Sequence, residues 1–122
     1  GYVITYNNSG TLTSGGDTIP DAPGDTTITN SAAGSQGTEQ FALSFETDGD
    51  ATVTSGYGYD TGTPANSDWA YDASPTSPVT IVSETGPTAT ETVSSYYLAN
   101  IAANTEAGIY SASITYIATG TF

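Results

Sequence analysis

The chain has 122 residues and a formal net charge of −13, because it contains 13 Asp and Glu and no Lys, Arg or His. A protein without cationic side chains lacks the phosphate contacts that nucleic-acid binding requires, and anionic membranes repel it. Because Cys is also absent, nucleophile–His pairs, Schiff-base lysines and His/Cys zinc sites are excluded. We therefore expect a non-enzymatic protein without a nucleic-acid partner, and no apolar run is long enough to span a membrane.

Apolar and polar residues alternate with a period of two through most of the chain, which predicts β-strands. In the first half, five segments show this pattern: residues 1–6, 12–19, 26–29, 41–46 and 51–55. The second segment is weak because Gly15 and Gly16 interrupt it, and the fifth is the expected hairpin partner of the fourth. Residues 56–78 are rich in Gly, Pro, Asp and Asn and predict a long ordered loop held by its aromatic residues.

The second half continues the same pattern to the last residue. Three strands are predicted, at residues 79–83, 93–101 and 109–122, with a turn at 100–108. No segment combines helical periodicity with capping residues, so no helix is expected. Seven to nine short strands predict an all-β fold, an Ig-like or jelly-roll-like antiparallel β-sandwich that forms a single domain over residues 1–122.

Both ends of the sequence consist of strand residues. A terminal strand at a sheet edge can pair with a second molecule through main-chain hydrogen bonds, although two ordinary edge strands explain the pattern equally well. In such an assembly, Ile4, Ile114 and Tyr116 are expected to fill a neighbour's groove. The residues predicted to form the assembly strands are Tyr2, Ile4, Tyr6, Tyr110, Ile114, Tyr116 and Phe122. The partner would then be a second copy of the chain.

Three motifs in the C-terminal third carry a resemblance to a known family: Tyr-Leu-Ala-Asn at 97–100, Asn-Thr-Glu-Ala-Gly-Ile-Tyr at 104–110 and Thr-Tyr-Ile-Ala-Thr-Gly-Thr-Phe at 115–122. With them the chain resembles cell-surface β-sandwich proteins of candidate-phylum bacteria. Residues 1–2, 12–13, 19–20 and 37–41 follow the order of the same proteins. A weaker likeness is to WxL wall-binding domains, whose signature Trp is replaced by Tyr116. The resemblance implies a surface-exposed structural role and supplies no catalytic residues.

Two groups of side chains are candidates for ligand binding. The first could offer oxygen ligands to Ca²⁺, the only cofactor considered, and consists of Glu46, Asp48 and Asp50. The second could stack on a glycan and consists of Tyr57, Tyr59, Trp69 and Tyr71. Solvated turn carboxylates and core aromatics are the alternative interpretations. A carbohydrate- or Ca²⁺-binding module of a larger surface protein is accordingly the second functional hypothesis.

Two further patterns of acidic residues could indicate a functional site. Asp60, Asp68 and Asp72 form a second acidic group, and Asp60-Thr61-Gly62 matches the triplet of aspartic proteases. The triplet follows a Gly-rich segment, whereas a protease triplet follows a buried strand, so turn chemistry is favoured. Since no carboxylate can pair with a cationic side chain of its own chain, relief of self-repulsion predicts stability that rises as pH falls.

Several absences favour an extracellular location at a cell surface. The chain has no Met, which we interpret as processing of an exported precursor, and without Lys and Arg it offers trypsin no cleavage site. Without Lys it cannot form Lys–Asn isopeptide links, so any polymer must be non-covalent. Asn7-Asn8-Ser9 is a glycosylation sequon at an expected turn. The sequence therefore predicts a structural subunit of a surface filament or surface layer, assembled by exchange of terminal strands.

Overall fold

The computed structural model describes residues 1–22, 37–63, 66–73 and 77–122. Over these residues the chain forms eight β-strands: β1 (Tyr2–Asn8), β2 (Leu12–Ser14), β3 (Asp17–Ile19), β4 (Gln40–Thr47), β5 (Thr52–Val53), β6 (Val79–Glu84), β7 (Val93–Asn100) and β8 (Ile114–Gly120). The prediction of an all-β fold with seven to nine strands is confirmed. The predicted strand at 26–29 lies outside the described residues.

The strands form two antiparallel sheets and one short hairpin. The larger sheet has the order β5-β6-β1-β8, the smaller sheet pairs β4 with β7, and β2 pairs with β3. β1 is hydrogen-bonded to β6 on one side and to β8 on the other. The first strand of the chain therefore lies inside the larger sheet, and the last strand lies at its edge.

The two sheets pack face to face around one apolar core, as in a β-sandwich. Its fully buried side chains come from β1, β4 and β6 and from the segment between β5 and β6, and include Tyr6, Leu43, Phe45, Tyr71 and Val82. Phe41, Leu43 and Phe45 alternate along β4 and all belong to this core, as the period-two pattern predicts.

The structure differs from the sequence prediction in three places. β5 pairs with β6, so residues 51–55 are not the hairpin partner of β4. The weak segment 12–19 folds into the β2–β3 hairpin, because Gly15 adopts a positive φ of 63° that favours glycine. The last strand begins at Ile114, five residues later than the sequence pattern predicted.

The edge of β4 opposite β7 is covered by three backbone segments. Phe41 N–H donates to Pro20 O at 2.8 Å, Leu43 N–H to Ala70 O at 2.9 Å, and Phe45 N–H to Tyr57 O at 2.7 Å. The long loop predicted at 56–78 is thus tied to β4 by main-chain hydrogen bonds. No helix that is long and apolar enough to cross a membrane occurs in the described part of the chain.

Candidate functional site

One side of the sandwich is bounded by β7 and β8, and we call it the open side. The Tyr97 hydroxyl on β7 lies 3.0 Å from the Tyr116 hydroxyl on β8, so the two strands border the same side of the molecule. Within the described residues, β7 pairs only with β4 and β8 only with β1. The open side therefore presents two neighbouring strand edges whose outer backbone groups have no strand partner there.

The alternation of antiparallel hydrogen bonds shows which groups of β8 face outward. Thr121 N–H donates to Gly1 O at 2.9 Å, Gly1 N donates to Thr121 O at 3.2 Å, and Ser9 N–H donates to Ser113 O at 3.0 Å. The register between these points is uninterrupted, so odd-numbered residues of β8 bond to β1. The N–H and C=O groups that point away from β1 belong to Ile114, Tyr116, Ala118 and Gly120.

β7 has the same arrangement. Leu43, which lies opposite Tyr97 in the β4–β7 register, exchanges its backbone hydrogen bonds with Ala70 instead. Tyr97 therefore directs its own N–H and C=O away from β4, toward the free edge. Its side chain is on the inward face of the sheet and is nevertheless 55% exposed.

A gap separates the two sheets at the open side. Its volume is about 220 Å³, and it is lined by Ile4, Phe45, Ile81, Val93, Ser95 and Tyr116. Tyr116 also faces inward, where it meets the Phe45 ring edge-on at 6.0 Å, yet it is 38% exposed. The core of the sandwich is thus incompletely covered at this side, and its lining is apolar and uncharged.

Acidic residues are segregated away from the strands of the open side. None of the 13 carboxylates lies in residues 1–16, which include β1, and residues 92–122, which include β7 and β8, contain only Glu106. Glu106 lies in the exposed segment between β7 and β8. A protein with a net charge of −13 therefore has one side whose strands carry no charge.

The predicted assembly residues occupy three different environments. Ile114 and Tyr116 lie on the free edge strand β8. Tyr2, Ile4 and Tyr6 lie on β1, and because β1 is paired on both sides the expectation of an exposed strand edge does not hold for it. Tyr110 precedes β8 and packs against the core, while Phe122 follows β8 and is fully exposed.

Three of the four aromatic residues predicted as a glycan platform are buried. Tyr57, Trp69 and Tyr71 are only 3%, 5% and 0% exposed. Tyr59 is half-buried and stacks on Tyr96 with ring centroids 3.7 Å apart. Since a sugar needs an open ring face, these residues do not form a binding platform but support the outer face of β4 and the core.

The buried tyrosines form a hydroxyl network that the sequence did not reveal. The hydroxyls of Tyr6 and Tyr57 share a hydrogen bond of 3.1 Å, and Asp72 N–H donates to Tyr6 Oη at 2.9 Å. The Tyr71 hydroxyl donates to Gly10 O at 2.8 Å. Burial raises the pKa of Tyr6 and of Tyr57 above the usual range. Burial first, and then the neighbouring acidic groups of Tyr6, Asp21 and Asp72, raise the pKa of Tyr71 to about 12.

The three carboxylates predicted as Ca²⁺ ligands are not brought together as a ligand group. Glu46 accepts hydrogen bonds from Thr61 Oγ1 at 2.9 Å and from the Tyr96 hydroxyl at 3.0 Å. Asp48 Oδ1 accepts from Thr92 N–H at 2.7 Å, and Asp50 is exposed. Asp60 caps its own turn by accepting from Thr63 N–H. Across the described ranges, no group of three acidic residues is placed to hold a metal ion.

Glu91 ties the start of β1 to the turn after β4, a role that the sequence analysis missed. Its carboxylate accepts hydrogen bonds from the Tyr2 hydroxyl at 2.7 Å, from Ala51 N–H at 3.2 Å and from Asp50 N–H. A side chain at Gly49 would meet the Glu91 carboxylate, so a larger residue there would displace Glu91 from this position. The hydrogen bond from Tyr2 lowers the pKa of Glu91 and in turn raises the pKa of Tyr2 to about 12.

Replacing Glu91 with Gln is expected to destabilise the protein at neutral pH and to have less effect in acid. An amide presents N–H groups to donors that now face carboxylate oxygens, so hydrogen bonds are lost. Because the folded-state pKa of Glu91 is lowered, its contribution is complete above the pKa of the unfolded carboxyl, about 4.3, and disappears as pH falls through the lower folded value. Thermal unfolding midpoints at pH 7, 4 and 2.5 measure the difference.

Glu106→Gln is the matched control, because Glu106 is exposed and its replacement removes the same charge. The difference between the two variants separates the hydrogen bonds of Glu91 from general relief of self-repulsion, which acts in the opposite direction with pH. Equal midpoints for the two variants at pH 7 would contradict the role of Glu91.

The sequon asparagine lies beside β8. Asn7 is on the outer face of β1, and its Oδ1 accepts a hydrogen bond from Asn8 N–H at 2.9 Å. A surface depression of about 300 Å³ is lined by Asn7, Asn8, Ser9, Ser113, Thr115 and Ile117. A glycan on Asn7, which stays a prediction, would lie over the outer face of the sheet and not in the gap between the sheets.

Comparisons of the chain with protein-family models, with curated proteins and with solved structures found no match. The likeness to bacterial surface proteins therefore stays a prediction from the sequence.

Proposed function

We propose that the protein is an extracellular structural subunit that associates with copies of itself, without covalent links, into a surface filament or surface layer. The observation that supports this proposal is the free edge of β8: seven residues, Ile114–Gly120, without a charged side chain and, among the described residues, without a strand partner on their outer side. Such an edge is a template for pairing with another chain through main-chain hydrogen bonds.

Free edges of this kind are normally protected in proteins that stay monomeric. Charged side chains, prolines, bulges or very short edge strands prevent edge-to-edge association. The opposite edge of the larger sheet is short in this way, because β5 has only two residues. The edge of β4 opposite β7 is covered by backbone segments. The register shift in the larger sheet is in the pairing of β1 with β6, away from β8. Within the part of the chain that the structure describes, β8 has none of these protections, which favours a role in association.

Addition of a strand to β8 is favoured over the exchange of terminal strands. In the exchange form, β1 or β8 would leave its own sheet and enter a neighbour, which first breaks the β1–β8 ladder and, for β1, the β1–β6 ladder as well. Addition to the free edge keeps both ladders and satisfies backbone groups that would otherwise face solvent. The assembly strand is therefore β8 in its observed position, with Ile114 and Tyr116 on its inward face.

Replacing Ala118 with Pro tests this proposal. The Ala118 N–H points away from β1, so proline removes one donor from the free edge and leaves the β1–β8 ladder intact. We expect self-association, measured by sedimentation velocity and negative-stain electron microscopy, to weaken at least about tenfold, since the proline ring also obstructs an added strand. The unfolding midpoint of the monomer should change little.

Two control variants make the result specific. Ala118→Ser keeps the N–H and should assemble like the unchanged protein. Thr119→Pro removes a donor that bonds to β1 and should destabilise the monomer itself, by roughly 3 kcal/mol. If Ala118→Pro assembled as well as Ala118→Ser, or if the unchanged protein stayed monomeric up to millimolar concentration, pairing at β8 would not be the basis of its function.

A further inference from the structure

We infer that the open side is a two-fold interface, in which β8 pairs antiparallel with β8 of a second copy while the β7 edges of the two molecules lie next to each other. This inference depends on the proposed self-association and deepens it, because it names the occupant of the open side and its orientation. A two-fold contact closes on itself, so the dimer would be the building unit and a second contact would link dimers into a filament or layer. The larger sheets of the two copies would then join into one continuous sheet of eight strands.

The presence of two free edges on one side is the first argument. β7 and β8 belong to different sheets but border the same gap, as the hydrogen bond between Tyr97 and Tyr116 shows. A single added strand can extend only one of the two sheets. A second sandwich placed side by side presents one edge to each sheet, so only this occupant brings a partner to both β7 and β8.

The distribution of charge is the second argument. Two copies that each carry a net charge of −13 repel one another. In a two-fold contact the same surface of both copies meets, so each residue lies close to the same residue, or to a neighbour of it, in the second copy. Acidic residues within such a contact would face each other without a cation. β1, β7 and β8 contain none, so the open side is the side of the described structure on which self-pairing avoids this repulsion.

The inward side chains at the gap are the third argument. Tyr97 and Tyr116 are 55% and 38% exposed although they point toward the core, and the gap beside them is lined by Val93 and Phe45. When the same side of a second copy covers the gap, aromatic surface is buried on both molecules at once. Tyrosines of this kind are typical anchors at the centre of protein interfaces.

A cysteine scan of β8 tests the inference, and the chain is suited to it because it has no native cysteine. Each of the seven residues 114–120 is replaced by Cys in turn, and disulfide-linked dimers are measured under mild oxidation in the full chain. In an antiparallel two-fold pair, only the residue at the axis faces its own counterpart, at a Cα separation of about 5 Å that suits a disulfide.

We expect one variant to form dimers at least about tenfold faster than the other six. Mixtures of two variants at equal distances on either side of that residue should also form linked dimers, while each of these variants alone should not. Rapid linking at all seven positions would show parallel pairing in register and would overturn the inference.

The outcomes also separate this inference from the proposed function. Linking only in mixtures, with no variant linking to itself, would show that the two β8 strands pair out of register without two-fold symmetry: the two-fold interface would be overturned and pairing at β8 retained. Absence of linking in every variant and every mixture would overturn the two-fold interface as well. If Ala118→Pro then also left association unchanged, pairing at β8 would itself be overturned.

Discussion

Raising the pH from 10 to 12 is expected to unfold the protein, because three phenols in its core resist ionisation. Tyr6, Tyr57 and Tyr71 are buried, and burial raises the pKa of each above the usual value of 10. Groups whose folded pKa is raised stabilise the fold fully below the unfolded pKa, and this contribution is lost as the pH rises through the folded value. Stability should therefore be constant up to about pH 9 and fall above pH 10.

The expected loss is large compared with the stability of a small domain. Each phenol that is ionised only in the unfolded chain reduces the free energy of unfolding by about 1.4 kcal/mol per pH unit. Three such groups give a slope of about 4 kcal/mol per pH unit, and a domain of this size has roughly 5–15 kcal/mol in total. Circular dichroism and tyrosinate absorbance at equilibrium would follow unfolding and ionisation together.

Tyr71→Phe provides the control for this prediction. The variant keeps the ring that stacks on Tyr6 at 6.0 Å and loses only the hydroxyl that donates to Gly10 O. Above pH 10, the free energy of unfolding of the variant should fall with pH about one third less steeply than that of the unchanged protein. At pH 8 the two free energies of unfolding should differ only by the contribution of that hydrogen bond. Complete ionisation of all nine tyrosines near pH 10 in a protein that is still folded would contradict the prediction.

The fold was predictable from the sequence where local alternation determines it. Phe41, Leu43 and Phe45 identified β4 because every second residue is apolar, and all three are in the core. Residues 1–6 and 79–83 were recognised for the same reason. Gly15 and Gly16 were recognised as an interruption of segment 12–19, but the β2–β3 hairpin that they form was not predicted.

Pairing between strands was not predictable, because it depends on contacts between residues far apart in sequence. Both ends of the chain have the same alternating pattern, yet β1 is inside the larger sheet and β8 is at its edge. Alternation shows which residues share a face and contains no information on which strands are neighbours. The expected β4–β5 hairpin failed for this reason, since β5 pairs with β6.

For the candidate site, the sequence predicted the kinds of residue present but not their arrangement in space. Ile114 and Tyr116 were predicted on the last strand and lie there, while their role in assembly stays a prediction. The sequence already contains the uncharged stretches that form the open side. Tyr97 lies within the strand predicted at 93–101, but its exposure at a gap depends on how the two sheets end relative to each other. Tyr57, Trp69 and Tyr71 were proposed as ligand-binding because aromatic residues in a long loop have the same sequence signature whether they are exposed or buried.

Placing one charge of either sign at Ala118 is expected to abolish self-association. Ala118 lies opposite Ile4 in the register, so it shares the inward face of β8 with Tyr116 and is exposed at the open side. A charge buried there in a complex loses its hydration without gaining a partner, which costs roughly 3 kcal/mol or more and raises the dissociation constant about a hundredfold.

Comparison of Ala118→Lys with Ala118→Asp distinguishes desolvation from long-range repulsion. The lysine variant lowers the net negative charge of each copy and the aspartate variant raises it, starting from −13. If repulsion between copies limited assembly, lysine would strengthen it and added salt would rescue the aspartate variant. If the contact is the uncharged open side, neither variant should associate. Added salt should not restore association in either, because it screens a buried charge only weakly. Sedimentation velocity at 0.02 and 0.5 M NaCl distinguishes the two cases, and strengthening by lysine would move the interface away from the open side.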